Sequence, residues 1–438
     1  MNLKSSILLT PFIILLFDYD LYSIFSLLFI SLIFFDLVKP FSNKLYLKIF
    51  ISLFFIIRFI SSLLPNFNQI WINISQKNYA LAQKYIDIES VFTAFSCNFL
   101  GNGEFSFSKG TYFVSCPHTV SYGPFFEIIG FKNNPFIAKY IFSFIIFMFV
   151  LIYYFKILNS LNSKQSYIFS LAILSPPVNF LLERMNFDIF IFISIYLAYK
   201  YVSKESHRNL IVFFLALMKY YPIFLIIGSL FQNVLKKQYK AARTNAIFLG
   251  IYFHLFIYLY FSELNLITQP VRPIRPDRTF GILSEALNLS NLLSLNFIFI
   301  YGVLVLLIFL FSFILRSEVQ CKTLFINNLD HDLIIMFSIT SLFANYDYRL
   351  AFLIFVLPTI LKTENKVLIL SFLLFIFSSP GLLHSYGELF QLVENYQFAY
   401  IDLTFYLLLS CFLNAYLSYL KISFKNFNTK NNVINNQN

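Results

Sequence analysis

Lys219 stands in the middle of an apolar run, 209–235, with Ala216-Leu217-Met218 before it and Tyr220-Tyr221-Pro222-Ile223 after it. An ionisable side chain at membrane depth is a functional-site hypothesis by default, and a lysine there is a point cation suited to a phosphate or a carboxylate. The alternative is a lysine snorkelling from one continuous span. Carboxylates follow the third apolar run: Asp87 and Glu89 in Tyr85-Ile86-Asp87-Ile88-Glu89-Ser90, then Glu104. An acid partly desolvated at a membrane surface can serve as general base for a hydroxyl; a solvated loop acid is the plain alternative. Asp87 and Glu89 share one side of an extended segment but lie about 200° apart on a helix, so which of them is the base stays open. Arg272, Arg275 and Arg278, spaced by prolines, present guanidinium forks that match phosphate oxygens; surface attraction to anionic lipid headgroups explains them equally well. The corner Glu183-Arg184-Met185-Asn186-Phe187-Asp188 packs four polar groups between two apolar runs, which predicts a hydrogen-bonded network or a helix cap. The corner Asn345-Tyr346-Asp347-Tyr348-Arg349 adds an acid and a cation, to bind substrate or to tie two short helices together. Cys97 and Cys116 share one loop, so a disulfide is open if that loop faces an oxidising compartment. No Cys/His grouping has zinc-ligand spacing.

The elements that must position these groups are membrane helices. The 438 residues are 58% hydrophobic and only 12% charged, with mean hydropathy +0.72, far outside the soluble range. The net charge of +11 lies mostly in short loops and the C-terminal tail, as positive-inside topology requires, and no basic face interleaved with exposed aromatics points to nucleic acid. Apolar runs recur at 5–17, 21–38, 45–64, 136–158, 167–182, 187–202, 209–235, 246–262, 292–315, 333–345, 350–361, 367–379 and 400–420. These are about twelve spans plus one broken pair, several shorter than the usual ~20 residues. Basic clusters flank 209–235 on both sides, Lys200, Lys204 and Arg208 before it and Lys236, Lys237, Lys240 and Arg243 after it. The run is therefore expected to enter and return on the cytoplasmic side, with Lys219-Tyr220-Tyr221-Pro222 at the tip of a re-entrant pair of half-helices. The remaining basic clusters then share that side. Loop 65–135, the corner 183–188, loop 263–291, the corner 345–349 and the segment 380–397 share the other, and every informative polar group falls there. The expected organisation is an N-terminal transmembrane hairpin over 1–44, a main domain over 45–421 with its outer loop at 65–135, and a disordered cytoplasmic tail over 422–438. The short apolar N-terminus reads as part of a retained hairpin and not a cleaved signal.

With those residues in view, the chain resembles the GT-C glycosyltransferases, in particular polyprenyl-phosphate-mannose-dependent mannosyltransferase-like membrane proteins. Two elements carry the likeness: Glu183-Arg184-Met185-Asn186-Phe187-Asp188 is similar to that family's Glu-Arg-Gly-Asn-(Phe/Ile)-Asp corner, and Lys219-Tyr220-Tyr221-Pro222 to its Lys-x-Tyr-Pro element. Tyr122-Gly123-Pro124 resembles a tyrosine-proline site ending the first outer loop, and Asn288-Leu289-Ser290 an Asn-x-Ser near a later span. Met185 stands where the family usually has glycine, which puts the backbone of that corner in question.

The resemblance implies an all-α polytopic membrane protein. It would be a GT-C-like helical bundle of about 12 transmembrane helices plus the re-entrant pair, with a long first outer loop over the site. It implies inverting transfer of a hexose, mannose among the candidates, from a polyprenyl-phosphate donor to a glycan or lipid acceptor at the outer membrane face, in a bacterial inner membrane with both termini cytoplasmic. Asp87 or Glu89 would be the base, and Lys219 with Arg272, Arg275 and Arg278 would hold the donor phosphate. Tyr122, Glu183, Arg184, Asn186, Asp188, Tyr220, Tyr221, Asp347 and Arg349 would line the substrate site. No cofactor and no obligatory metal is expected. The competing functions are a lipid-linked saccharide flippase or transporter and an O-antigen-type polymerase or ligase. The last normally carries its large outer loop late in the chain, whereas here the largest comes early.

Overall fold

The computed structural model of the chain describes residues 8–15, 19–34, 37–38, 44–64, 66, 135–260, 279–280, 282–314, 328–342, 345–363, 365–377 and 406–417. These residues are helical almost throughout. In chain order the helices are α1 (Thr10–Ile14), α2 (Tyr19–Phe34), α3 (Leu45–Leu63), α4 (Pro135–Ser160), α5 (Ser163–Ala172), α6 (Pro176–Arg184), α7 (Asp188–Tyr201), α8 (Glu205–Met218), α9 (Ile223–Leu235) and α10 (Tyr239–Tyr260). After a two-residue strand β1 (Thr279–Phe280) come α11 (Ile282–Leu293), α12 (Phe297–Ile314) and α13 (Asn328–Thr340). Strand β2 (Asn345–Tyr346) pairs antiparallel with β1, Thr279 opposite Tyr346. A 3-10 stretch, Asp347–Phe355, leads to α14 (Leu357–Lys362), α15 (Lys366–Phe377) and α16 (Tyr406–Leu417).

Among the described residues, three helices are long and apolar enough to cross a bilayer: α3, Lys139–Ser160 of α4, and α12. The pair α5 and α6, bent by 52°, makes a fourth if it acts as one span. Helix α12 exposes Ile298, Phe299, Leu306 and Phe313, and α4 exposes Ile141, Ile145 and Ile152. Such apolar stripes are costly in water and natural in lipid. The chain is a helical membrane protein.

Local sequence explains where the helices begin. Asn162 and Gln165 form a reciprocal capping box that opens α5. Asn296 accepts the backbone N–H groups of Ile298 and Phe299 at 2.9 and 3.4 Å and opens α12. That cap divides the expected 292–315 run in two, leaving Ser294 in the left-handed region at φ 54°. The run 350–361 also differs from expectation, being 3-10 before it becomes α14.

Ring contacts fix the relative direction of the helices. Phe142 lies 6.4 Å from Phe187 and 6.2 Å from Phe190, and Tyr153 lies 5.0 Å from Tyr196, so α4 and α7 run the same way. Phe352 meets Phe192 at 5.4 Å and Phe355 meets Tyr196 at 5.2 Å, so the 3-10 stretch follows them. The turns after α4, α7 and α14 therefore lie at one end of the bundle. Lys44 donates to Leu158 O there at 2.9 Å and to Leu161 O, and Gln165 Nε2 reaches Leu361 O at 3.1 Å. Lysines 44, 48, 156, 164, 200, 204, 362 and 366 collect at this basic end. The corner 186–188 lies at the other.

The N-terminal helices share the main core. Tyr22 Oη donates to Leu171 O at 2.7 Å and Tyr167 Oη to Leu8 O at 2.9 Å, both buried.

Candidate functional site

The site is built around a chain reversal. Helix α8 stops at Met218, Lys219 is extended (φ −147°, ψ 143°), and Pro222 starts α9. Proline has no N–H and disfavours helix in the residue before it, so Tyr220-Tyr221-Pro222 is where a helix breaks. The chain then returns. Asn233 Nδ2, near the end of α9, donates to Glu205 Oε1 at the start of α8, at 2.6 Å. Asn245 Nδ2 of α10 donates to the same oxygen at 3.0 Å. Helices of 14 and 13 residues rise about 20 Å each, two-thirds of a ~30 Å hydrocarbon core. A single continuous span would have separated Glu205 and Asn233 by the whole of that distance twice over.

Lys219 is 4% exposed and does not snorkel to lipid. Its Nζ lies 2.8 Å from Asp188 Oδ1, and 3.5 Å from Asn186 Oδ1. Tyr221 Oη donates to the same Asp188 oxygen at 2.9 Å, and Asn186 Oδ1 accepts the backbone N–H of Asp188 at 3.0 Å. The two elements singled out in the sequence thus meet at the end opposite the basic turns, Asn186 and Asp188 of one joining Lys219 and Tyr221 of the other in one buried cluster. The Tyr220 ring lies edge-on to Phe256 at 5.3 Å.

The corner's backbone answers the question raised by Met185. It ends α6 in the left-handed conformation, φ 48° and ψ 51°, which favours glycine, and its side chain is fully buried. Asn186 N–H closes the helix end on Leu181 O at 3.1 Å, turning the Asn186 side chain toward Lys219. The conformation a glycine would supply is kept without the glycine.

Glu183 belongs to an adjoining cluster. Arg58, fully buried on α3, donates to Asn179 Oδ1 and, at 3.5 Å, to Asn179 O; its guanidinium lies 3.9 Å from Glu183 Oε2. Only Arg184 and Met185 separate Glu183 from Asn186, so two buried cations, Arg58 and Lys219, flank the corner. Arg184 sits in the last turn of α6. Asp347 and Arg349 lie on the 3-10 stretch directly after β2, and the β1–β2 pair ties that corner to the residue following Arg278 in sequence. Asp87, Glu89, Cys97, Cys116, Tyr122, Arg272, Arg275 and Arg278 lie outside the described residues.

Sequence reasoning missed Arg58 and Lys139, both buried (0% and 6% exposed). The signal was present: Phe54-Phe55-Ile56-Ile57-Arg58-Phe59-Ile60 holds a charge within an apolar helix, the same criterion that exposed Lys219. A second polar network nearer the basic end was also missed. Asp332 Oδ2 accepts from Tyr199 Oη at 2.6 Å and Ser229 Oγ at 2.8 Å, while its Oδ1 lies 2.8 Å from His331 Nδ1. Informative polar groups are therefore not confined to the end opposite the lysines.

No family model matches the chain, and no curated protein or solved structure matches it.

Proposed function

We propose that the chain is a membrane glycosyltransferase that moves a hexose from a polyprenyl-phosphate donor to a glycan or lipid acceptor, with Lys219 at the donor phosphate. The observation that carries this reading is the buried Lys219–Asp188–Tyr221 cluster at the tip of the re-entrant hairpin. The carboxylate beside it at 2.8 Å fixes the position of the ammonium before a substrate arrives. With three donors an ammonium can bridge a carboxylate and a phosphate oxygen together. In the proposed step Asp87 or Glu89 takes the proton of the acceptor hydroxyl, and that oxygen attacks the anomeric carbon. The carbon–oxygen bond to phosphate breaks with inversion, and the leaving phosphate gains charge next to Lys219. Arg272, Arg275, Arg278 and Arg349 supply further cations in this scheme. Tyr122, Glu183, Arg184, Asn186, Asp347 and Tyr220 shape the sugar site under the outer loop.

The same reading takes the fold as a GT-C-like bundle of about twelve spans in a bacterial inner membrane, with the basic end and both termini cytoplasmic. A hairpin about 20 Å deep then places Lys219 in the outer half of the bilayer, where a lipid-phosphate headgroup is within reach. A second reading, transport of a lipid-linked saccharide, draws on the Asp332 network, which puts buried polar groups in the other half of the bundle.

One experiment separates them. Purified protein is given a polyprenyl-phosphate hexose and candidate acceptors, wild type beside Asp87→Asn, Glu89→Gln and Lys219→Met. Glycosidic product that is lost with Lys219→Met and with one of the carboxylate changes is the expected result. Product that survives all three changes refutes the roles, and donor movement across a liposome without product favours transport.

A further inference from the structure

At the basic end, a groove of about 680 Å³ opens between the turn before α8 and the turn before α10. Among the described residues it is lined by Lys204, Lys237 and Lys240, with Glu205 its one carboxylate. That acid is drawn inward: its Oε1 accepts from Asn233 and Asn245, at 2.6 and 3.0 Å, on the helix side of the turn. Three lysines thus line an open groove whose described carboxylate is held by two buried amides. Lys237 is placed there at a conformational cost. It follows α9 at φ 56°, with its own N–H on Val234 O at 3.1 Å and that of Gln238 on Asn233 O at 2.8 Å. Glycine is the residue preferred at this position of a helix end. Tyr239, 65% exposed, stands at the rim, as amphipathic rings do at a membrane–water boundary.

We propose that this groove is a binding site for a phosphate-bearing anion, distinct from the cluster around Lys219 and independent of glycosyl transfer. Two sources offer that chemistry at a membrane surface: the headgroup of an anionic phospholipid, and a soluble phosphate or pyrophosphate. Lysines scattered over a membrane face attract anions diffusely; three of them around one groove bind at a fixed place, and that difference can be measured.

The test uses the full chain, purified in detergent and in nanodiscs. Binding of phosphatidylglycerol is counted against phosphatidylcholine by native mass spectrometry, and phosphate and pyrophosphate are titrated by calorimetry. The variant Lys204→Gln/Lys237→Gly/Lys240→Gln is compared with Lys48→Gln/Lys200→Gln, which removes two lysines of the same end that lie outside the groove. The expected result is a loss of at least tenfold in affinity with the groove variant and less than twofold with the control, for phosphatidylglycerol or for the soluble anions. Which probe responds names the source. Lys237→Gly alone keeps or raises the unfolding midpoint, since glycine suits the left-handed turn, so its loss of binding is not loss of fold. Equal losses in both variants, or none in the groove variant, overturn the proposal.

Discussion

Exchanging Lys219 for methionine leaves Asp188, which is fully buried, with the hydroxyl of Tyr221 and without its cation. Removing one partner of a buried ion pair costs ~3–5 kcal/mol. The Tyr221 bond at 2.9 Å keeps Lys219→Met toward the lower figure. Asp188→Asn keeps an amide oxygen to which Lys219 can donate but removes the negative charge opposite it, so its cost falls in the same range. The double variant removes both charges and retains a neutral acceptor for Tyr221. It should unfold within about 1–2 kcal/mol of wild type, giving a coupling energy of at least ~3 kcal/mol. Equilibrium unfolding in mixed SDS micelles, read by circular dichroism, supplies the four values of the cycle. Additive effects, with a coupling below about 1 kcal/mol, would refute the pairing and with it the placement of the hairpin tip. Under the proposed chemistry the double variant is folded and gives no glycosidic product, which separates the architectural part of the pair from its catalytic part.

Met185→Ala is expected to lose ~2–5 kcal/mol of packing, and Met185→Gly to lose about 1 kcal/mol less because the left-handed turn is relieved. Unfolding midpoints would thus rank glycine above alanine at the end of a helix, the reverse of a helix interior. Gly228→Ala would bring a Cβ to 2.9 Å from Asp332 Oδ1 and 3.3 Å from Asp332 Cα; the α9–α13 contact has to shift, at ~1–3 kcal/mol in the same assay. In a background without native cysteines, Glu205→Cys and Asn233→Cys should be joined by a bifunctional thiol reagent with a short spacer, because the native side chains meet at 2.6 Å, whereas on one continuous helix they would lie about 40 Å apart; modification of both thiols without a cross-link would mean that the 209–235 run does not return.

The positions of the helices were largely legible, because apolar runs bounded by lysines repeat along the chain and lipid imposes that pattern on any spanning helix. The reversal at Lys219 was legible for the same reason, from basic residues on both flanks. What joins Lys219 to Asp188 could be anticipated as two polar elements at one end, but not as a contact, since spacing along the chain says nothing of distance across a bundle. Arg58 was passed over because its partners, Asn179 and Glu183, lie on another helix and nothing beside it in sequence is polar. Asp332 was missed likewise: its ligands Tyr199 and Ser229 come from α7 and α9. The split of the 292–315 run turned on one asparagine side chain, Asn296, acting as a cap within otherwise uniform apolar sequence.

The hairpin has a consequence for the order in which the protein can be made. Tyr221 and its acceptor Asp188 are 33 residues apart in the chain, whereas Ser229 and Asp332 are separated by 103. At synthesis rates of about 5–20 residues per second, the first partner is already in place when the tip emerges, and the second follows some 5–20 s later. During that interval the tip can hold its charge while the return helix still lacks its neighbour on α13. A nascent chain stalled between residues 260 and 320 should therefore carry Lys219 already paired with Asp188 on a hairpin whose α9 still lacks its α13 neighbour, and in this window insertion machinery or a lipid covers the open flank of α9.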